Sequence, residues 1–328
     1  MEHRKGIVCA GNWIVDIVHD IPSWPDKSDL AVISHESVGI GGGAANVALN
    51  LAALDAGYPI LPMGLIGNDE HGETVVRSCG DAGLPLDGLV RLDGISTAHT
   101  HVMNVPGDSR TFFYCPGANE HYGPDSGSIT NLAAQSPQLF YLGYLNLLPL
   151  LDAIQPDGRS GAALVLKRAR DAGMLTCVDL VSSQSDTYKE TVYATLPEID
   201  WLLLNEVEAA RATGIDIASE TDRDGIARAV ELLLEGGVRK GCILHTPQLS
   251  LWKTRQDEIW TAVPQISKSE IVSAVGAGDA FGAGVLHGLH ENWSPQESVD
   301  LGNQLAAACL RAPTATGGTL KLTEYERN

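Results

Sequence analysis

Ile271-Val272-Ser273-Ala274-Val275-Gly276-Ala277-Gly278-Asp279-Ala280-Phe281-Gly282 carries a β-branched stretch into two glycines, an aspartate and a small-residue apolar helix. Glycines after such a stretch let the main chain approach an anion closely. The helix that begins there aims its unpaired N–H groups and positive dipole end at the same place. A carboxylate one step into that helix is positioned to take a proton from a hydroxyl beside the anion. The combination points to phosphoryl transfer to an alcohol, with Gly276, Ala277 and Gly278 holding developing charge and Asp279 as base. Taken alone, the stretch is equally compatible with a tight strand-to-helix turn in which Asp279 only favours the first turn.

A second cluster, Gly39-Ile40-Gly41-Gly42-Gly43-Ala44-Ala45-Asn46-Val47-Ala48, precedes apolar residues spaced as one buried helix face, Val47, Leu51 and Leu54 with small Ala44, Ala48 and Ala52. Gly41 to Gly43 have no side chains to pack. They mark a place where something comes close to the main chain, with Asn46 available as donor and acceptor on the first helical turn.

The pairing of Gly41-Gly42-Gly43 and Asn46 with Gly276-Ala277-Gly278-Asp279 resembles the two signatures of the ribokinase-like (PfkB) family of carbohydrate kinases. Further matches follow in family order: Gly11-Asn12 with Asp16, Gly64-Leu65-Ile66-Gly67-Asn68-Asp69 with Gly72, Pro116-Gly117-Ala118-Asn119, and Asn205-Glu206-Val207-Glu208. The resemblance runs from about Ile7 to Gly318. It implies a three-layer α/β/α fold with a mostly parallel central sheet and a small β-sheet lid. One kinase domain would span residues 1–328, with lid segments at approximately 15–37 and 98–119. It also implies ATP-dependent phosphorylation of a hydroxymethyl group of a small sugar, ribokinase- or fructokinase-like, and a homodimer formed through the lid.

The same resemblance assigns residues. Asp16, Gly42, Gly43 and Asn46 would hold the acceptor's hydroxyls, which suits a carboxylate and an amide, each able to engage two neighbouring hydroxyls. Arg110 and Asn119, in or beside the lid, would read the far end of the substrate. Asn205 and Glu208 would organise magnesium and phosphates, Glu208 through water. Thr246 would contact the nucleotide, Gly276 and Gly278 its phosphates, and Asn303 the adenine region. Asn205 and Glu208 also have the spacing of a helix capping box.

The chain departs from the family pattern in two places. Thr246-Pro247-Gln248-Leu249 lacks the glycine of the usual T-x-G, and Ser273-Ala274 stands where relatives have D-T. Losing that carboxylate removes a hard ligand for potassium and leaves activation by a monovalent cation open, although Thr314-Ala315-Thr316-Gly317-Gly318 resembles the segment that completes such a site. Relatives that act on phosphorylated sugars commonly carry a lysine in the early glycine cluster. Gly43 therefore favours an unphosphorylated sugar or sugar-like alcohol.

With 328 residues, 44% of them hydrophobic, the chain can bury a large core. Its formal charge of −19 argues against nucleic acid or an anionic membrane as partner, because both need a positive face. An acidic protein handling nucleotide phosphates borrows positive charge from a metal ion, and magnesium is the expected one. Cys9, Cys79, Cys115, Cys177, Cys242 and Cys309 are scattered with no C-x-x-C pair, which fits reduced thiols in the cytoplasm. Gly6 to Ala10 is too short for a signal-peptide core, and the longest apolar run, Leu139 to Leu151, contains Asn146 and Pro149.

Strand-like runs at Ile7–Ala10, Ile60–Ile66, Leu139–Leu142, Met174–Leu180, Trp201–Leu204 and Cys242–His245 alternate with helical stretches such as Ala162–Ala172 and Ile226–Leu234. This is the rhythm of a mostly parallel sheet. Period-two alternation over His99 to Asn104, then Pro106-Gly107-Asp108 and Arg110 to Tyr114, reads as a hairpin.

Other chemistries fit less well. Gly39-x-Gly41-x-x-Ala44 matches a dinucleotide fingerprint, but an oxidoreductase wants an acidic residue about twenty positions on, where the chain has Leu61-Pro62-Met63. No Walker pattern and no G-x-S-x-G elbow occur. His287 and His290 share a helix without a partner at metal-ligand spacing. A sugar- or nucleoside-binding protein that has lost catalysis would account for Ser273-Ala274 and Thr246-Pro247. Retention of Asp279 argues against it, since binding alone needs no base.

Overall fold

The computed structural model describes residues 4–105, 110–127, 129–267 and 269–325. Continuous apolar runs become strands buried on both faces, as expected of a parallel sheet covered by helices. The strands are β1 (Ile7–Gly11), β2 (Ile14–Asp20), β3 (His35–Gly41), β4 (Ile60–Gly67), β5 (Leu89–Leu92), β6 (His99–Asn104), β7 (Thr111–Cys115) and β8 (Leu139–Leu145). They continue with β9 (Leu175–Leu180), β10 (Trp201–Asn205), β11 (Gly241–His245), β12 (Leu249–Thr254) and β13 (Glu258–Ala262). Nine of them form the central sheet in the order β13-β12-β11-β10-β9-β8-β1-β4-β5. All pairs are parallel except β11 with β12 and β12 with β13.

Side-chain alternation along the strands feeds two cores. Val8 and Ala10 face the helices Gly161–Asp171, Tyr188–Thr195 and Arg223–Glu235, whereas Ile7 and Cys9 face Gly43–Ala53, Ala277–Glu291 and Pro295–Leu310. The result is the expected α/β/α layering. The six expected strands and both expected helices are present, with the fourth run starting at Leu175 rather than Met174.

A separate four-stranded sheet, β3-β2-β6-β7, stands over the carboxyl-end side of β1. The chain enters it through buried Asn12 and Trp13, whose indole Nε1 donates to Met63 O at 3.1 Å. β6 and β7 pair antiparallel as the hairpin reading requires, and β2 pairs β6 in parallel. The turn residues Pro106-Gly107-Asp108 lie outside the described residues. The motif around Asp69 is an internal brace: its carboxylate caps the helix Glu70–Asp81 at Gly72 N (2.9 Å). It also accepts from Thr97 N (2.9 Å) and Thr97 Oγ1 (2.6 Å), just before β6. Gly39 and Gly41 sit on β3 of the small sheet, not at the end of a central strand, so they form no dinucleotide turn.

Two features were not expected from the sequence. Thr246-Pro247-Gln248 makes a tight turn into the antiparallel β12–β13 edge, and β5 closes the other edge. All six cysteines are free. No helix of the described residues is long and apolar enough to cross a membrane.

Candidate active site

Two cavities meet where the helix Ala277–Glu291 begins. Gly276 caps that helix with φ +82°, a left-handed conformation in which a Cβ would also run into Ala315. No side chain caps the helix start, so the first N–H groups remain directed outward. Asp279 lies in the first turn and is buried. Its Oδ2 accepts from Asn46 Nδ2 at 2.8 Å and its Oδ1 from the Tyr144 hydroxyl at 2.6 Å. The two distant glycine signatures therefore converge on one carboxylate. Burial pushes the Asp279 carboxyl up to about 6, against the lowering effect of the Tyr144 and Asn46 hydrogen bonds.

The larger cavity, about 1010 Å³, lies between Asp279 and the small sheet. Asp16 enters it from β2 and Asn46 from the helix Gly43–Ala53; Thr100, Arg110 and Tyr114 come from β6 and β7 or just before. Burial raises the Asp16 carboxyl to about 6, opposed by a hydrogen bond from Thr100 and the Arg110 charge. The glycines are spatial requirements. A Cβ on Gly42, at φ +91°, would come within 2.6 Å of Asn12 O, and one on Gly43 within 2.7 Å of the Tyr144 ring. Asn119 does not line this cavity. It is fully buried behind it, donating Nδ2 to the Tyr114 hydroxyl at 3.2 Å, so it can act on a ligand only through that ring.

The smaller cavity, about 540 Å³, is bordered by Asn205, His245, Thr246, Gly278, Phe281 and Asn303. Asn205 and Glu208 form the reciprocal capping box of the helix Glu206–Thr213, Oδ1 accepting from Glu208 N and Oε2 from Asn205 N, each at 2.9 Å. Glu208 borders neither cavity; its Oε1 accepts from Ser182 Oγ at 3.0 Å. Burial raises its carboxyl to about 7. Thr246 borders the cavity, but its hydroxyl closes the turn, accepting from Gln248 N (3.1 Å) and Leu249 N (3.0 Å). Asn303 accepts from Ser250 Oγ at 2.9 Å and leaves its buried Nδ2 without a partner among the described residues.

A magnesium ion beside the phosphates would lie near a set of acids. Asp179, at the end of β9, is held well above the carboxylate range by burial and then by the charges of Glu208 and Asp279. A carboxylate raised by neighbouring acids in this way fits a nearby dication. Among the described residues, however, no group of three or more His, Cys, Asp or Glu is arranged to hold a metal. The arrangement fits an ion carried mainly by phosphate oxygens and water, which is how magnesium commonly binds beside nucleotides.

Residues 4–321 match the pfkB family of carbohydrate kinases. The chain belongs to that family. Arabidopsis thaliana ribokinase is 26% identical over 316 residues, covering 95% of this chain and 78% of that one. Bacillus subtilis 2-dehydro-3-deoxygluconokinase is 24% identical over 294 residues, covering 87% and 84%. The structure of Arabidopsis thaliana ribokinase complexed with ribose and ATP superposes with a TM-score of 0.81 at 23% identity, covering 98% of this chain and 96% of that one. These likenesses bear out the ribokinase fold, and the family bears out the expected enzyme class, an ATP-dependent carbohydrate kinase.

Within this pfkB member, the sequence reading missed Tyr144, Asp179 and His245. Tyr144 lies on β8, just beyond the apolar run that marks this strand. Asp179 carried a usable signal, a single acid inside the apolar run Cys177-Val178-Asp179-Leu180. His245 shows in the sequence only as the end of the strand-like run Cys242–His245.

Proposed function

We propose that this kinase transfers the γ-phosphoryl group of ATP to a hydroxymethyl oxygen of a small, unphosphorylated sugar or sugar-like alcohol, with Asp279 as general base. The observation that carries this reading is the Asn46–Asp279 hydrogen bond, which joins both glycine signatures where the two cavities meet. The acceptor occupies the larger cavity, its hydroxyls held by Asp16, Asn46 and the main chain at Gly42 and Gly43. ATP occupies the smaller cavity, with its phosphates over Gly276, Ala277 and Gly278 and its base toward Asn303.

Asp279 accepts the hydroxyl proton as the new P–O bond forms, while Tyr144 and Asn46 fix the orientation of the carboxylate. The helix N–H groups stabilise charge on the transferring phosphoryl. Magnesium, when bound with the nucleotide, supplies charge neutralisation at the phosphates, with Glu208 acting through water. The small sheet serves as the lid that excludes water and so limits ATP hydrolysis. Gly43 supports an unphosphorylated acceptor, because the Tyr144 ring fills the space that a side chain would need. Across the outer lid face, Val38, Ile17, His101 and Phe113 lie in one register row, and the exposure of Val38 and Phe113 supports a homodimer formed there. Six free cysteines favour a reducing, cytoplasmic setting.

ADP formation from ATP, measured with a panel of pentoses, hexoses, keto-deoxy acids and nucleosides, tests the proposal. Acceptor-dependent ADP release is expected. Binding without turnover, or an absorbance change that requires NAD(H), would replace it with the sensor or the oxidoreductase reading.

A further inference from the structure

His245 ends β11 at the rim of the smaller cavity and stacks on Phe281, with ring centroids 5.0 Å apart. Its ring lies directly over the helix start. A Cβ built on Gly278 would be 3.2 Å from His245 Cε1 and 3.3 Å from Nε2. Neither ring nitrogen has a hydrogen-bond partner among the described residues, whereas the neighbouring Thr246 hydroxyl and Asn303 Oδ1 are engaged. Burial depresses the imidazole to about 4, so near neutral pH the ring is uncharged and offers one N–H donor. The ring is half-buried on the cavity wall, so a ligand in the cavity can supply the acceptor. The neighbours decide which ligand group that is, since Ala277 and Gly278 present main-chain N–H groups suited to phosphate, while Ala306, Ala307 and Leu310 form the apolar opposite side.

We infer that His245 donates its Nε2–H to the outer phosphates of the bound nucleotide, acting as a side-chain wall of the anion hole formed by Gly276 to Gly278. The inference rests on reading this cavity as the nucleotide site. It gives the edge-strand turn at Thr246-Pro247 a role, because that turn fixes the end of β11 while leaving the histidine, not the threonine, facing the phosphates. It also bears on Gly278, where a Cβ would press against the ring at 3.2 Å and push it outward by a few tenths of an ångström.

The test is calorimetric binding of the magnesium complex of AMP-PNP, and of AMP, which has no outer phosphates, to the full chain and four variants. His245→Phe keeps the stack on Phe281 but removes the donor, and His245→Ala is the smaller alternative should Phe not be accommodated. Either is expected to weaken AMP-PNP about tenfold or more, as for a lost hydrogen bond to a charged group, and to leave AMP within about twofold. His245→Gln, which restores an N–H, should recover most of the loss. Unchanged AMP-PNP affinity in both donor-free variants, or equal losses for AMP and AMP-PNP, overturns the inference while leaving the cavity assignment standing. Ala306→Trp fills the base end and should abolish binding of both ligands; full binding by that variant would overturn the cavity assignment and the role of His245 with it.

Discussion

Replacing Tyr144 with phenylalanine removes one hydroxyl from the wall of the larger cavity and leaves the ring that packs against Gly43. In the folded protein that hydroxyl donates to Asp279 Oδ1 at 2.6 Å and thereby favours the charged carboxylate. A hydrogen bond to a charged group is worth roughly 1.5–3 kcal/mol, and one pKa unit corresponds to about 1.4 kcal/mol, so the Asp279 pKa should rise by roughly 1 to 2 units. The starting value is about 6. The base is active as carboxylate, so activity rises with pH and levels off above the pKa. Loss of the donor moves that acid limb upward, to roughly pH 7 to 8 on the same arithmetic. At neutral pH the ionised fraction falls from about nine-tenths to between about a half and a tenth, and kcat/KM for the acceptor should fall roughly 2- to 10-fold, with recovery near pH 9. Direct ADP quantification between pH 5 and 9 gives the profile. An acid limb that stays near pH 6 in Tyr144→Phe, or a loss of equal size at every pH, would refute the assignment of that limb to Asp279.

Further outcomes follow from the same geometry. Gly276→Ala puts a Cβ at a left-handed φ and against Ala315, so the helix start must shift; kcat should drop about 100-fold or more with a lowered melting temperature. Glu208 has a raised pKa, so it binds a proton in the folded chain at pH values where the unfolded chain has released it. Stability contributed by this group is therefore present at acid pH and lost as pH rises through about 7. Thermal melts of the nucleotide-free protein should show Glu208→Gln flattening the decline between pH 5 and 8 by a few °C, and a decline as steep as in the parent would count against that protonation. With Ser273 in place of the family's aspartate, replacing potassium chloride by sodium chloride should change kcat/KM by less than about twofold, since no carboxylate is left there as a hard cation ligand.

The layering, the parallel sheet and the two glycine signatures were legible because each follows from a short-range pattern. Apolar runs become buried strands, and glycine-rich turns mark where a ligand meets main chain. The Asp279–Asn46 pairing was legible through the family resemblance rather than through spacing, since 233 positions separate the partners. Tyr144 was not legible, because an aromatic residue at a strand end looks the same whether its hydroxyl meets water or a catalytic carboxylate. Asn119 and Thr246 were placed in the site by position along the chain. In the fold, the first supports Tyr114 from behind and the second spends its hydroxyl on a turn. Asn205 and Glu208 show that one spacing can serve two roles, for the capping box is formed and its acid is still held near neutral pKa by burial. The reversal from β11 into antiparallel β12 was not legible because its turn, Thr246-Pro247-Gln248, has the place of a modified nucleotide loop.

The role of Asp279 is tested most directly by single-turnover phosphoryl transfer in Asp279→Asn, with enzyme in excess over ATP and the acceptor saturating. Asparagine keeps the volume and can still pair with Asn46 or Tyr144, so ATP and acceptor should bind about as before. The transfer rate should fall by roughly 100- to 10,000-fold, the usual contribution of a positioned general base. A rate within a few-fold of the parent, with both ligands bound, would contradict the assignment of proton removal to this carboxylate.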